Sequence, residues 1–332
     1  MASLTKLKRA VCGFAVGLFC LSTPVVAQTG DWPSRPITLI IPFGPGSGAD
    51  LVGRLINTPL GELLGQPVII QNMAGAGGSI GAARAAHSAP DGYTVVIGAV
   101  DTFGQGPLLR KKQQYDPRAD FDPVGLAFIQ PLVLITRKNL NLHNLAEFSD
   151  YVKKNQAKMQ FGSSGVGSAP HLVCSELIRA MNASVIHVSY RGSAEAMQDL
   201  MAGQLDFYCA LASTAVSQMS AGNVDAVAVL TRERSAVLPD VPTAKEQGYD
   251  IGDFYYWMGL FLPKGTPQPI VDKFNKALSA VLDRPDVQKR LKDFATVVAP
   301  ADRRSPAYLR RFLNDEITFW AKSIKEKGIE PN

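Results

Sequence analysis

Thr38-Leu39-Ile40-Ile41-Pro42-Phe43-Gly44-Pro45-Gly46-Ser47-Gly48-Ala49-Asp50-Leu51-Val52 is the stretch from which the rest of the chain is read. Its first part is a β-branched and leucine run, the composition of a buried strand. Three glycines break it, and Leu51-Val52-Gly53-Arg54-Leu55-Ile56 resumes as a helical pattern with Asp50 in or near the first turn. A strand that turns through glycines into a helix aims unpaired backbone N–H groups and the positive end of the helix dipole outward. That is a seat for a phosphate or a carboxylate; a tight β–α connection with no ligand carries the same pattern.

Outward from this stretch, the design recurs. Val68-Ile69-Ile70-Gln71-Asn72 reads as a strand, followed by the glycine-dense segment from Ala74 to Gly81 and a small-residue helix, Ala82 to His87. Neither glycine loop fits G-x-G-x-x-G, and no G-x-x-x-x-G-K-[ST] exists, so nucleotide binding has no positive support. With the strand Thr94 to Val100, three strand–helix units argue a parallel sheet with crossover helices. Val124 to Thr136 is a long apolar segment broken by Pro131, expected to carry the chain into a second domain. There Met159-Gln160-Phe161 leads into Gly162-Ser163-Ser164-Gly165-Val166-Gly167-Ser168 and a helix from Pro170, a second cup of the same kind. Phe254 to Leu262 is an aromatic strand that could return the chain to the first domain. Ser305-Pro306 signals the start of the last helix.

The chain has 332 residues, 46% hydrophobic and 19% charged, which fits a soluble globular protein of about two domains. Lys6, Lys8 and Arg9 precede the apolar run Ala10 to Leu21, which is too short to span a bilayer. Val25-Val26-Ala27 supplies small residues at a cleavage site, so residues 1–27 are expected to be a cleaved signal peptide and the mature protein periplasmic. The formal net charge of +5 includes those three leader cations, and removing them leaves +2. The remaining basic residues are scattered, so nucleic acid is not an expected partner. Cys174 and Cys209 could pair in an oxidising compartment, but both sit in apolar surroundings and are expected to be buried small side chains.

An enzyme is not expected. Ser168, His171 and Cys174 lie close in sequence, but no G-x-S-x-G occurs and sequence proximity is not triad geometry. With four histidines and no H-x-x-x-H or C-x-x-C, a metal site is poorly supported, and no cofactor is expected.

The ordered motifs carry a resemblance. Pro42-Phe43-x-Pro45-Gly46-x-x-x-Asp50, Gly75-Ala76-Gly77-Gly78, Ala89-Pro90-Asp91-Gly92-Tyr93, Tyr190-Arg191-Gly192, Leu238-Pro239-Asp240-Val241-Pro242-Thr243 and Trp257-x-Gly259-Leu260 followed by Pro263-x-Gly265-Thr266-Pro267 appear in sequence. Together they resemble the Bug proteins, substrate-binding components of tripartite tricarboxylate transporters (TctC-like). The resemblance implies an α/β type II periplasmic binding protein whose two lobes are joined by a two-strand hinge. Lobe 1 would comprise residues 28–130 and 254–332, and lobe 2 residues 131–253. It further implies a monomeric receptor that closes on a di- or tricarboxylate and delivers it to integral membrane permease subunits; a ligand-binding input module for a sensor kinase is the alternative.

By the same resemblance, the loop Phe43 to Asp50, with Phe43, Gly46, Ser47 and Gly48, and the loop Gly162 to His171, with Ser163, Ser164, Gly167, Ser168 and His171, grip one carboxylate. Asp50 is read as support for its loop, because a carboxylate would repel an anionic ligand. His171 could donate to the carboxylate or serve its own helix. Arg191 could fork onto a distal carboxylate or be a structural surface arginine. Tyr255, Tyr256 and Trp257 could wall the cleft or form a buried hinge strand. Ala210-Leu211-Ala212 are apolar where many relatives are acidic or polar, which argues against a ligand with an amino group; an aromatic, non-acidic wall suits an aromatic dicarboxylate such as terephthalate, with aliphatic di- or tricarboxylates behind it.

Overall fold

The computed structural model describes residues 32–166, 168–190, 192–293, 295–326, 328 and 330–331. The signal-peptide expectation, Gly167 and Arg191 therefore lie outside the described residues. In chain order the elements are β1 (Ile37–Ile41), α1 (Gly48–Leu64), β2 (Val68–Asn72), α2 (Ser79–Ala86), β3 (Thr94–Ala99) and the long β4 (Phe121–Arg137). They continue with α3 (Leu145–Asn155), β5 (Gln160–Ser163), α4 (Ala169–Ala180), β6 (Ile186–Ser189), α5 (Ser193–Met201), β7 (Phe207–Leu211), α6 (Ala212–Ser220) and β8 (Val224–Val229). The chain closes with β9 (Tyr255–Pro263), α7 (Gln268–Leu282), α8 (Pro285–Asp293), β10 (Val297–Val298) and α9 (Pro306–Glu326).

The sheet has the same plan twice. In one half β1 lies between β2 and β3, parallel to both, and β9 and β4 continue that half antiparallel. In the other half β5 lies between β6 and β7, again parallel to both, and β4 pairs with β7 and β8. β4 belongs to both: residues Phe121 to Pro131 face β9, and Leu132 onward face β7. Pro131 stands at the changeover, where a missing N–H does least harm to either ladder. Beside it the Leu230 amide donates to the Leu132 carbonyl (2.8 Å), and the Phe254 amide donates to the Leu230 carbonyl (3.2 Å). The outgoing and returning chains thus meet at one point.

β1 is nearly continuous buried aliphatic sequence, as a parallel strand covered on both faces requires. Behind β3 and β9, Phe103 stacks on Phe261 (4.3 Å between centroids) and touches Phe121 (4.7 Å). On β9 the alternation of the pleat separates the aromatics. The Trp257 indole is buried and donates to Glu316 of α9 (2.8 Å), whereas Tyr256 faces the other way. In the second half Cys174 of α4 and Cys209 of β7 form a disulfide, with Cα atoms 5.6 Å apart. The expectation of two separate buried thiols is therefore corrected: helix and strand bring the side chains together across 35 residues of sequence.

Candidate ligand-binding site

A 2-1-3 strand order makes the chain leave the middle strand in opposite directions, and the space above the carboxyl ends there is open. Here two such points, at β1/β3 and β5/β7, contribute to one cavity of 730 Å³. The first turns of four helices line it, with Gly48 and Ala49 of α1, Pro170 of α4, Ser193 of α5, and Ser213 and Thr214 of α6. Helix N-termini carry partial positive charge and unsatisfied N–H groups, so the wall favours an anion.

In the first cup, Ser47 is the N-cap of α1, and its Oγ accepts the Asp50 amide (3.3 Å). The hydroxyl proton is left for another acceptor. Gly48 and Ala49 occupy the first helical positions, whose N–H groups have no intrahelical partner. Asp50 is buried beneath the loop. Its Oδ2 accepts the Gly46 amide and Arg54 Nε, both at 2.9 Å, and its Oδ1 accepts Asn72 Nδ2 at 2.9 Å. Asn72 also donates to the Phe43 carbonyl (3.0 Å), so one side chain ties β2 to both ends of the loop. Burial pushes the Asp50 carboxyl up, but the hydrogen bonds from Arg54, Gly46 and Asn72 outweigh it and hold it down at about 2. Gly46 has φ +80°, which a side chain would strain, and this turn lets its amide face Asp50. Phe43, Ser47 and Gly48 line the cavity, whereas Gly46 does not.

The second cup is built differently. Ser164 and Ser168 line the cavity; Ser163 and His171 do not. Ser163 is fully buried, donates to the Gly165 carbonyl (2.9 Å) and contacts His187 Nε2 (2.7 Å). His171 stacks on His187 at 3.9 Å behind the loop. Ser163 and His171 therefore lie behind the loop rather than on the cavity wall. Burial lowers the pKa of His187, so the ring is held neutral. Ser168 caps α4 with its backbone only: its Oγ donates to the Gly165 carbonyl (2.8 Å), so its proton is engaged. Pro170 removes one further N–H from the first turn. Ser164 is hydrogen-bonded to the buried Tyr208, which also holds Ser193.

Sequence reasoning missed the third contributor. Asp101, just past β3, and Gln105 both line the cavity. Asp101 Oδ1 accepts Gln105 Nε2 (2.9 Å), and Oδ2 accepts the Tyr256 hydroxyl (3.0 Å). Burial pushes the Asp101 carboxyl up, while the bonds from Tyr256 and Gln105 pull it down; the net direction is upward. Burial, then the neighbouring carboxyl, raises Tyr256 far above its ordinary value, so it stays a donor. The signal for Asp101 was available: it stands at the carboxyl end of a third strand, where ligands gather in open α/β sheets. Arg110 also lines the wall and donates to the Ala76 carbonyl, in the glycine segment whose Gly77 reaches the cavity. Of the three aromatics expected as a possible wall, Tyr256 lines the cavity, and Met258 lies two positions on.

Among the described residues, no group of three or more His, Cys, Asp or Glu could hold a metal ion, and no helix is long and apolar enough to cross a membrane. A model of the tripartite tricarboxylate transporter family receptor matches residues 52–329. The chain belongs to that family. The receptor is 37% identical to the UPF0065 protein in the TAR-I ttuE-ttuC' intergenic region of Agrobacterium vitis, over 95% of this chain and 91% of the relative. MatC from Rhodopseudomonas palustris, solved with bound malate, is 38% identical, with a TM-score of 0.77 over 88% of this chain and 100% of its own. The R. palustris protein Rpa4515, solved with adipate, is 30% identical, with a TM-score of 0.81 over 91% of this chain and 100% of its own. The fold is that of the periplasmic binding proteins, and the protein is a solute-binding receptor of the tripartite tricarboxylate transporter type.

Proposed function

We propose that this receptor captures a small carboxylate in the 730 Å³ cavity and presents the closed complex to integral membrane permease subunits. The observation that carries the reading is the convergence of unpaired first-turn amides and the Ser47 hydroxyl on one cavity wall. They offer hydrogen bonds to a carboxylate without requiring a buried ion pair. Among the described residues that line the cavity, Arg110 is the cation that would meet a second carboxylate. Malate in MatC and adipate in Rpa4515 support a dicarboxylate of four to six carbons. Terephthalate calls for a cavity without acidic residues, and Asp101, from the end of β3, weighs against it.

Closure is a rotation of residues 131–253 against residues 28–130 and 254–332 about the point where β4 changes partners. Ligand contacts made from both sides favour the closed state, and the permease reads that state. Thermal-shift and calorimetric screening of C4–C6 dicarboxylates, tricarboxylates and terephthalate tests the reading, since a ligand of the native state raises the melting point. A receptor that responds to neutral sugars or amides and to no carboxylate overturns it.

A further inference from the structure

The cavity wall is short of donors at one place. Asp101 forms no ion pair among the described residues, and its two hydrogen bonds come from the neutral groups of Gln105 and Tyr256. The acceptor at Asp101 fixes the Gln105 amide with its NH₂ toward the carboxylate, which turns Oε1 the other way. That Oε1 is buried and has no hydrogen-bond partner among the described residues. That oxygen is closed off from the cavity, so Gln105 positions the carboxylate, and Asp101 is the acceptor that meets the cavity with neutral partners alone among the described residues. A ligand carrying only carboxylates would make the shortage worse, because it brings acceptors and negative charge to a half-buried carboxyl.

We propose that Asp101, held in place by Gln105 and Tyr256, forms the specificity subsite of the receptor, and that it takes a hydrogen-bond donor, a hydroxyl or an ammonium, carried on the carbon beside the ligand's carboxylate. The assignment rests on the carboxylate reading of the cavity and refines it to 2-hydroxy and 2-amino dicarboxylates. It also reverses the expectation drawn from Ala210-Leu211-Ala212. Leu211 does line the cavity, but the acidic group comes from the end of β3 instead. The geometry supplies the discrimination: a site that hydrogen-bonds a ligand OH or NH rejects the analogue lacking it, since the Asp101 carboxylate then loses water without gaining a donor.

The test is calorimetric titration of the full mature protein with two triads, succinate, malate and aspartate, and glutarate, 2-hydroxyglutarate and glutamate. Within a triad only the substituent on C2 changes from hydrogen to hydroxyl to ammonium. The expected result is at least tenfold tighter binding of a donor-bearing member than of the plain dicarboxylate, with the preference falling below threefold in Asp101→Asn. Tyr256→Phe gives a second readout of opposite sign. With one neutral donor removed from Asp101, preference for the ammonium over hydrogen increases. Equal binding across both triads, or an unchanged ratio in both variants, overturns the subsite. So does plain-dicarboxylate binding accompanied by proton uptake, measured in buffers of different ionisation heat, since Asp101 would then act as an acid. Failure of both triads while another carboxylate binds also overturns it. Failure of every carboxylate overturns the parent reading instead.

Discussion

The two cups occupy equivalent positions, at the carboxyl ends of β1 and β5, yet they are held by different forces. The first is held by one buried carboxylate that gathers Gly46, Arg54 and Asn72 around it. The second is held by a disulfide from its helix to β7 and by the stacked pair His171 and His187 behind its loop. The first leaves donors facing the cavity, whereas in the second Ser163 and Ser168 give their protons to the Gly165 carbonyl and Ser164 is tied to Tyr208. Equivalent topology therefore sets where the two loops meet the cavity, while side chains decide which cup keeps free donors on it.

Breaking the covalent support should have the largest effect. Cys174→Ser with Cys209→Ser opens a loop of 35 residues, a change of about 3–4 kcal/mol in the chain-entropy description. Denaturant unfolding should show that loss, and binding in the surviving folded fraction should change little, because neither sulfur lines the cavity. A change confined to affinity would contradict the division of roles between the cups.

Asp50→Asn comes next. It removes the charge that Arg54 faces and turns half of an acceptor into a donor opposed to the Gly46 amide or Asn72. A loss of about 2–3 kcal/mol is expected for disrupting a buried, charge-assisted network. The acid response should change with it. Because the folded carboxyl titrates at about 2, below its unfolded value, its stabilisation is present above about pH 4 and is lost as pH falls from there towards 2. In Asp50→Asn that part of the acid transition should vanish. The second cup should weaken earlier. His187 has a folded pKa below the unfolded 6.5, so the unfolded chain binds the proton first and stability declines as pH drops below about 6.5. His187→Gln should flatten the stability profile just below pH 6.5 and leave the lower limb intact. Guanidinium unfolding across pH separates the two limbs.

Much of this was legible locally. The glycine and serine punctuation at Gly44 to Gly48 and Gly162 to Ser168 marks both cups, because a strand-to-helix turn is specified within a dozen residues. Ser305 was also readable, and its Oγ accepts the Tyr308 amide (3.1 Å). What escaped depends on distant elements. Asp101 enters the cavity because β3 lies beside β1 while β2 lies on the other side, and no short window contains that order. His171 comes off the wall because β6 places His187 beneath it. The cysteines pair because α4 crosses β7. Ser168 was read as a donor from its type and position. The loop conformation at Gly165, with φ +130°, puts a carbonyl within reach of its proton instead.

That last difference gives the smallest and most selective test. Ser47 and Ser168 are both N-cap serines on the cavity wall, and sequence treats them alike. Ser47 Oγ accepts the Asp50 amide, which orients a lone pair inward and leaves the proton for a carboxylate. A hydrogen bond to a charged group contributes about 1.5–3 kcal/mol, so Ser47→Ala should weaken ligand binding by roughly ten- to a hundredfold. It should also cost about 1 kcal/mol of stability through the lost cap. Ser168 Oγ gives its proton to Gly165, and its helix is capped without the hydroxyl. Ser168→Ala should therefore change affinity by less than about threefold, within the few tenths of a kcal/mol that a non-participating group contributes. Calorimetry on both variants with one tight ligand decides between them. Equal losses would mean that the Ser168 hydroxyl leaves Gly165 on closure, and the two cups would then share the carboxylate evenly.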